Sequence, residues 1–64
     1  MQQLIKYLEL HIMSLNQDLE ELSKRMDEID PASKEFAELD IEYNFTSGQV
    51  SATSHILDYV CELA

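Results

Sequence analysis

The chain has 64 residues, room for one small domain, and at that size a single hydrophobic core is marginal without a staple or a partner. Cys61 is the only cysteine, so no disulfide can close within one chain. Thirteen acidic residues against four basic ones give a net charge of −9, which argues against direct nucleic-acid binding and against an anionic membrane surface, since both need a basic stripe.

From the N-terminus, the apolar residues keep one rhythm. Met1, Ile5, Leu8, Ile12, Leu15, Leu19, Leu22, Met26 and Ile29 are spaced alternately four and three apart. That is a heptad seam, and good helix formers fill the gaps without a glycine or proline. The spacing predicts one helix over about 2–29, about 40 Å long at 1.5 Å per residue. Glu9 and His11 interrupt its apolar start, so no targeting segment is expected there. No run reaches the roughly 18 apolar residues of a membrane span. A cytoplasmic location is the expectation.

Asp30-Pro31-Ala32-Ser33 comes next. Proline pushes the preceding residue out of the α region and suits a first helical turn, where its missing N–H would have no partner. The expected arrangement is a turn at about 30–31, with Asp30 capping a second helix that starts at Pro31 and runs to about 62. Glu35 adds negative charge near the positive end of that helix. So short a connection favours antiparallel neighbours.

The second half resumes the seam with Phe36, Leu39, Tyr43, Thr46, Val50, Thr53, Leu57, Val60 and Ala64. Folded back, Ile29 falls level with Phe36, Leu22 with Tyr43, Leu15 with Val50, Leu8 with Leu57 and Met1 with Ala64. The expected fold is therefore all-α: one domain over 1–64, an antiparallel two-helix hairpin of coiled-coil type. Arg25 beside the seam is placed to reach Glu35 or Glu42 across the hairpin. Such an exposed pair contributes about 0.2–1 kcal/mol and serves register more than stability.

Residues 44–55 look like a loop, because Gly48 lies there among Thr46, Ser47, Ser51, Thr53 and Ser54. Yet Thr46, Val50 and Thr53 hold the seam in phase on both sides of Gly48, which a loop would lose. The stretch reads as the waist of a continuous helix, with a local bend allowed and a three-helix fold as the alternative. Gly48 and Ala52 then offer a crossing point for a partner helix.

There are more apolar residues than one seam uses. Phe45, Ala52, Ile56, Tyr59 and Leu63 form a second stripe on the second helix, and Leu4, Tyr7 and His11 flank the seam on the first, with Leu10 and Met13 further round. Both sets gather at the open end, where the termini meet. The turn end is acidic: Asp18 to Glu42 holds ten acids and three bases, −7 of the total charge. An exposed apolar patch marks an interface, and the simplest partner is another copy, which would make a four-helix bundle. The alternative is that the extra side chains fold over a single hairpin or belong to a three-helix monomer. The expected interface is Leu4, Tyr7, His11, Phe45, Gly48, Ala52, Ile56, Tyr59 and Leu63.

Nothing in the chain assembles a reaction centre. His11 and His55 fall at nearby levels of the hairpin but belong to different sides, and no thiolate or carboxylate completes a tetrahedral metal set around either. The acids near the turn lack the alternating ligands and the glycine of a calcium loop. Cys61 has no base beside it and reads as a partly buried structural thiol. Asn44-Phe45-Thr46 matches a glycosylation acceptor and Cys61 stands at prenylation spacing, but nothing points to secretion, Glu62 is not aliphatic and no basic residues precede Cys61. No enzyme activity, cofactor or metal is expected.

The function read from these residues is a small self-associating hairpin that binds a protein partner. The alternative is an acidic regulator. It would use Glu20, Glu21, Asp27, Glu28, Asp30, Glu35 and Glu38 at the turn end to occupy a basic surface of another protein, one that itself binds nucleic acid being an option.

Overall fold

The computed structural model describes residues 1–63. They form two helices, α1 (Gln2–Asp27) and α2 (Lys34–Leu63), packed side by side as a hairpin. The molecule is a ribbon of 47 × 14 × 11 Å, one layer thick.

The turn differs from the expected one in an instructive way. α1 stops at Asp27, and its last turn tightens as the Glu28 and Ile29 N–H groups bond back to the carbonyls of Arg25 and Met26, three residues earlier. Lys24 and Arg25 stand in that last turn, where the helix dipole favours cations. Residues 30–33 then make a β-turn: the Ser33 N–H donates to the Asp30 carbonyl at 2.9 Å, with Pro31 at the second position of the turn, where its fixed φ fits. Asp30 does not cap α2. Its carboxylate accepts the Ala32 N–H at 3.0 Å, inside the turn. The cap is Ser33, whose hydroxyl oxygen accepts the Phe36 N–H at 3.1 Å while its carbonyl accepts the Ala37 N–H. α2 consequently starts at Lys34, three residues after Pro31. Both Asp30 and Ser33 are good capping residues, and proline serves a turn as readily as a first helical position; the turn takes Asp30 and Pro31 and leaves Ser33 for the helix.

α2 runs unbroken through residues 44–55, with no residue at positive φ. A Cβ built on Gly48 would meet nothing within 4 Å, so α1 does not require the missing side chain.

The seam is where the pattern put it. From Ile5 to Val60 every seam residue is buried or half-buried, and Ser33 and Ser54 are the other residues that share this protection among those described. Met1 is exposed at the end of the chain, and Ala64 lies outside the described residues.

Burial along the seam is uneven. With Ile5, Ile12, Leu19 and Met26 at position a of the heptad in α1, Leu8, Leu15 and Leu22 stand at d. In α2, Phe36, Tyr43, Val50 and Leu57 are a, and Leu39, Thr46, Thr53 and Val60 are d. All six buried residues (Leu8, Leu15, Leu22, Leu39, Thr46 and Val60) are at d, and all eight a residues are only half-buried. The flanks explain this. Position g lies beside d and, apart from Asp18, carries long side chains: Leu4, His11 and Arg25 on α1, and Glu35, Glu42, Gln49, Ile56 and Leu63 on α2. Position e lies beside a and, apart from Gln2 and Glu9, carries short ones: Asn16, Ser23, Asp40, Ser47, Ser54 and Cys61. Long flanks roof one side of the seam, and short flanks leave the other side open.

Candidate interface

Two open grooves flank the seam in the turn half of the hairpin and show which flanks meet there. One is lined by Asp18, Glu21, Leu22 and Arg25 of α1 with Glu42 and Thr46 of α2, that is, by positions g, c and d. The other is lined by Ser23, Met26 and Asp27 with Phe36, Asp40, Tyr43 and Asn44, positions a, e and b. The hairpin therefore has a g/c face and an e/b face. Arg25 and Glu42 share the first groove; Glu35, the other acid within its expected reach, is not among the residues lining it.

All nine residues of the expected interface are exposed. By their heptad positions, eight of them fall on the g/c face: Leu4, His11, Ile56 and Leu63 at g, and Tyr7, Phe45, Ala52 and Tyr59 at c. Gly48 is the exception. It occupies f, directly opposite the seam, so it lies at the back of α2 and not on the face that the others share. The exposure is large where it matters: Tyr7 is 63% accessible, Phe45 67% and Tyr59 60%. On α1 the rings of Tyr7 and His11, one helical turn apart, stack in parallel with centroids 6.0 Å apart. The stack sets two amphipathic rings side by side in the open-end half.

One residue escapes the sequence reading. Ile41, at f, is 70% accessible, the most exposed large apolar side chain described. Its signal was present in the heptad: Ile41 is a large apolar residue at f, the same outward position as Gly48, at the back of α2. Leu10 at f and Met13 at b are also exposed, on α1 away from the g/c face. Apolar surface thus spreads beyond a single face, but its largest concentration is the open-end half of the g/c face.

The acidic set is exposed throughout. It divides between faces: Glu21, Glu28, Glu35 and Glu38 fall on the g/c side, Glu20 and Asp27 at b, and Asp30 in the turn. Asp18 and Glu42, outside the expected set, line the g/c groove. The g/c face is accordingly acidic in its turn half, where Phe45 is the one exposed large apolar side chain and lies apart from the open-end cluster it was expected to join, and apolar in its open half.

His11 stands at g and His55 at f, both exposed. Among the described residues no group of three or more His, Cys, Asp or Glu side chains is placed to hold a metal ion. Cys61 departs from expectation: it is exposed rather than partly buried, because it sits at e in the last turn, on the side that short residues leave open. No helix of the described residues is long and apolar enough to cross a membrane. Comparison with protein-family models, with curated proteins and with solved structures gives no match.

Proposed function

We propose that the protein is a non-enzymatic interaction module: a helical hairpin that self-associates through the open-end half of its g/c face into a four-helix bundle and binds a protein partner in that form. The observation that carries the reading is the cluster of Leu4, Tyr7, Ile56, Tyr59 and Leu63, each 44% accessible or more on one half of one face. Exposed contiguous apolar surface of this kind is rare on a monomer and marks contact sites. Tyrosine is also enriched at interfaces, where its ring adds area and its hydroxyl stays hydrated. The hairpin is also thin, 14 × 11 Å across. Among the described residues no large side chain is fully buried, so a second layer adds burial that two helices cannot supply alone.

Light scattering at micromolar concentration tests this reading. The expected species has about twice the 7.4 kDa chain mass. A monodisperse 7.4 kDa species would overturn it.

The acidic-regulator reading draws on the groove walled by Asp18, Glu21 and Glu42. Salt separates the two. A partner held by the acidic half is released as ionic strength rises, whereas one held by Tyr59 and Ile56 is retained.

A further inference from the structure

Charge and apolar surface share the g/c face, and once self-association through that face is granted, they restrict how two copies can meet on it. The turn half carries Asp18, Glu21 and Glu42 around a lone Arg25, with Phe45 as its one exposed large apolar side chain, and the open half carries Leu4, Tyr7, Ile56, Tyr59 and Leu63. The stretch from Asp18 to Glu42, which spans the turn half, holds −7 of the −9 charge.

A second hairpin can lie on this face in three ways. Laid parallel with both turns at one end, it puts apolar surface on apolar surface but sets −7 directly against −7. Laid antiparallel over the full 47 Å, it presses each apolar half onto an acidic half and buries carboxylates against tyrosines. Laid antiparallel but displaced, so that only the open halves overlap, it pairs apolar with apolar and carries the two acidic turns to opposite ends. Screening decides between the first and the third. The Debye length at physiological salt is about 8 Å, so turns lying side by side repel, while turns many Debye lengths apart do not interact.

We infer that two copies of the hairpin dock tail to tail, overlapping through their open ends about a twofold axis near the level of Leu8 and Leu57, with the acidic turns pointing outward. The same face on both copies is used, as a closed twofold pair requires. The product is a rod with a four-helix middle and two-helix acidic tips. At 1.5 Å rise per residue the two turns lie about 70 Å apart, against about 45 Å for the full antiparallel overlap and under about 25 Å for the parallel pair.

The test is a distance between nitroxide labels on Ala32→Cys, in the exposed turn, with Cys61→Ser removing the native thiol. Helicity and mass of the labelled protein are checked first, and small-angle scattering of the unlabelled wild type gives the maximum dimension independently. The expected result is a label separation of about 70 Å and a maximum dimension well beyond the 47 Å of one hairpin. A dimer with labels closer than about 25 Å, or one no longer than a single hairpin, overturns the tail-to-tail arrangement while leaving self-association standing. A monomer overturns both.

Discussion

The Ser33 hydroxyl accepts the Phe36 amide at 3.1 Å and donates to the Asp30 carbonyl at 2.7 Å. One side chain thereby satisfies an otherwise unpaired N–H of α2 and ties that helix to the turn before it. Replacing an N-cap serine by alanine costs about 1 kcal/mol, and here the tie to Asp30 goes too. Ser33→Ala is expected to lower stability by about 1–2 kcal/mol in urea unfolding, and Ser33→Asp by distinctly less, because a carboxylate can still cap. Equal losses for the two variants would mean that the hydroxyl does not act as a cap.

Gly48 gives a prediction of opposite sign. Glycine inside a helix is about 1 kcal/mol less favourable than alanine, and a Cβ at this position meets nothing within 4 Å. Gly48→Ala is therefore expected to raise stability by about 0.5–1 kcal/mol, read from thermal or urea melts followed by circular dichroism. Because Gly48 lies at the back of α2, Gly48→Leu should leave the association constant close to wild type. A loss of dimer in Gly48→Leu would move the interface from the g/c face to the back of the helix.

The g/c face itself is probed by charge. Tyr59 is exposed at c, outside the flanks of the seam, and a glutamate at Ile56 keeps a long side chain over the d side as Glu35 and Glu42 do, so neither change opens the seam. Ile56→Glu and Tyr59→Glu are expected to weaken self-association at least about tenfold, a loss of about 1.4 kcal/mol or more, with the helical content of each chain preserved. The wild-type dimer is expected to persist, or to tighten, between 0.05 and 1 M salt (concentrations of roughly this range suffice to screen surface charge). Dissociation of the wild type by salt would contradict an apolar contact.

On the opposite face, the short e residues suggest a stabilising change. Ser47 is exposed beside Tyr43 and Val50, both half-buried. A longer apolar side chain there would roof them as the g residues roof the d side. Ser47→Met is expected to add about 0.5–1 kcal/mol by covering apolar area, with no effect on the g/c contact. Sedimentation and urea melts of the same sample check both halves of that statement.

The hairpin was legible because its seam repeats without a miss, and a period of 3.5 admits one face of one helix. Gly48 did not hide α2, since Thr46 and Val50 stay in phase around it. The turn was harder. Asp30, Pro31 and Ser33 each suit two neighbouring positions, and only the hydrogen bonds show which competitor takes which. Gly48 stands at f and Ala52 at c, so the heptad itself sets Gly48 apart from the other eight expected interface residues. The uneven burial of a and d could have been read from flank size, by setting Ser23, Ser47 and Ser54 against Leu4, Arg25 and Glu42. The exposure of Cys61 follows from that same contrast.

The turn between Asp30 and Ser33 has a kinetic consequence. It is closed by bonds between residues two or three apart, so it forms early and with little loss of chain entropy. Each layer beyond it joins residues further apart in the chain, from Met26 and Phe36, which line one groove near the turn, to the level of Leu8 and Leu57 toward the termini. The hairpin should close like a zipper from the turn, and open again from the other end. Amide exchange is then expected to be slowest around Leu22 and Leu39 and fastest around Leu4 and Leu63. The apolar half of the g/c face lies on the segment that frays first. A tail-to-tail pair would clamp the two loose ends of each chain at once, so that assembly and the last steps of folding become one event.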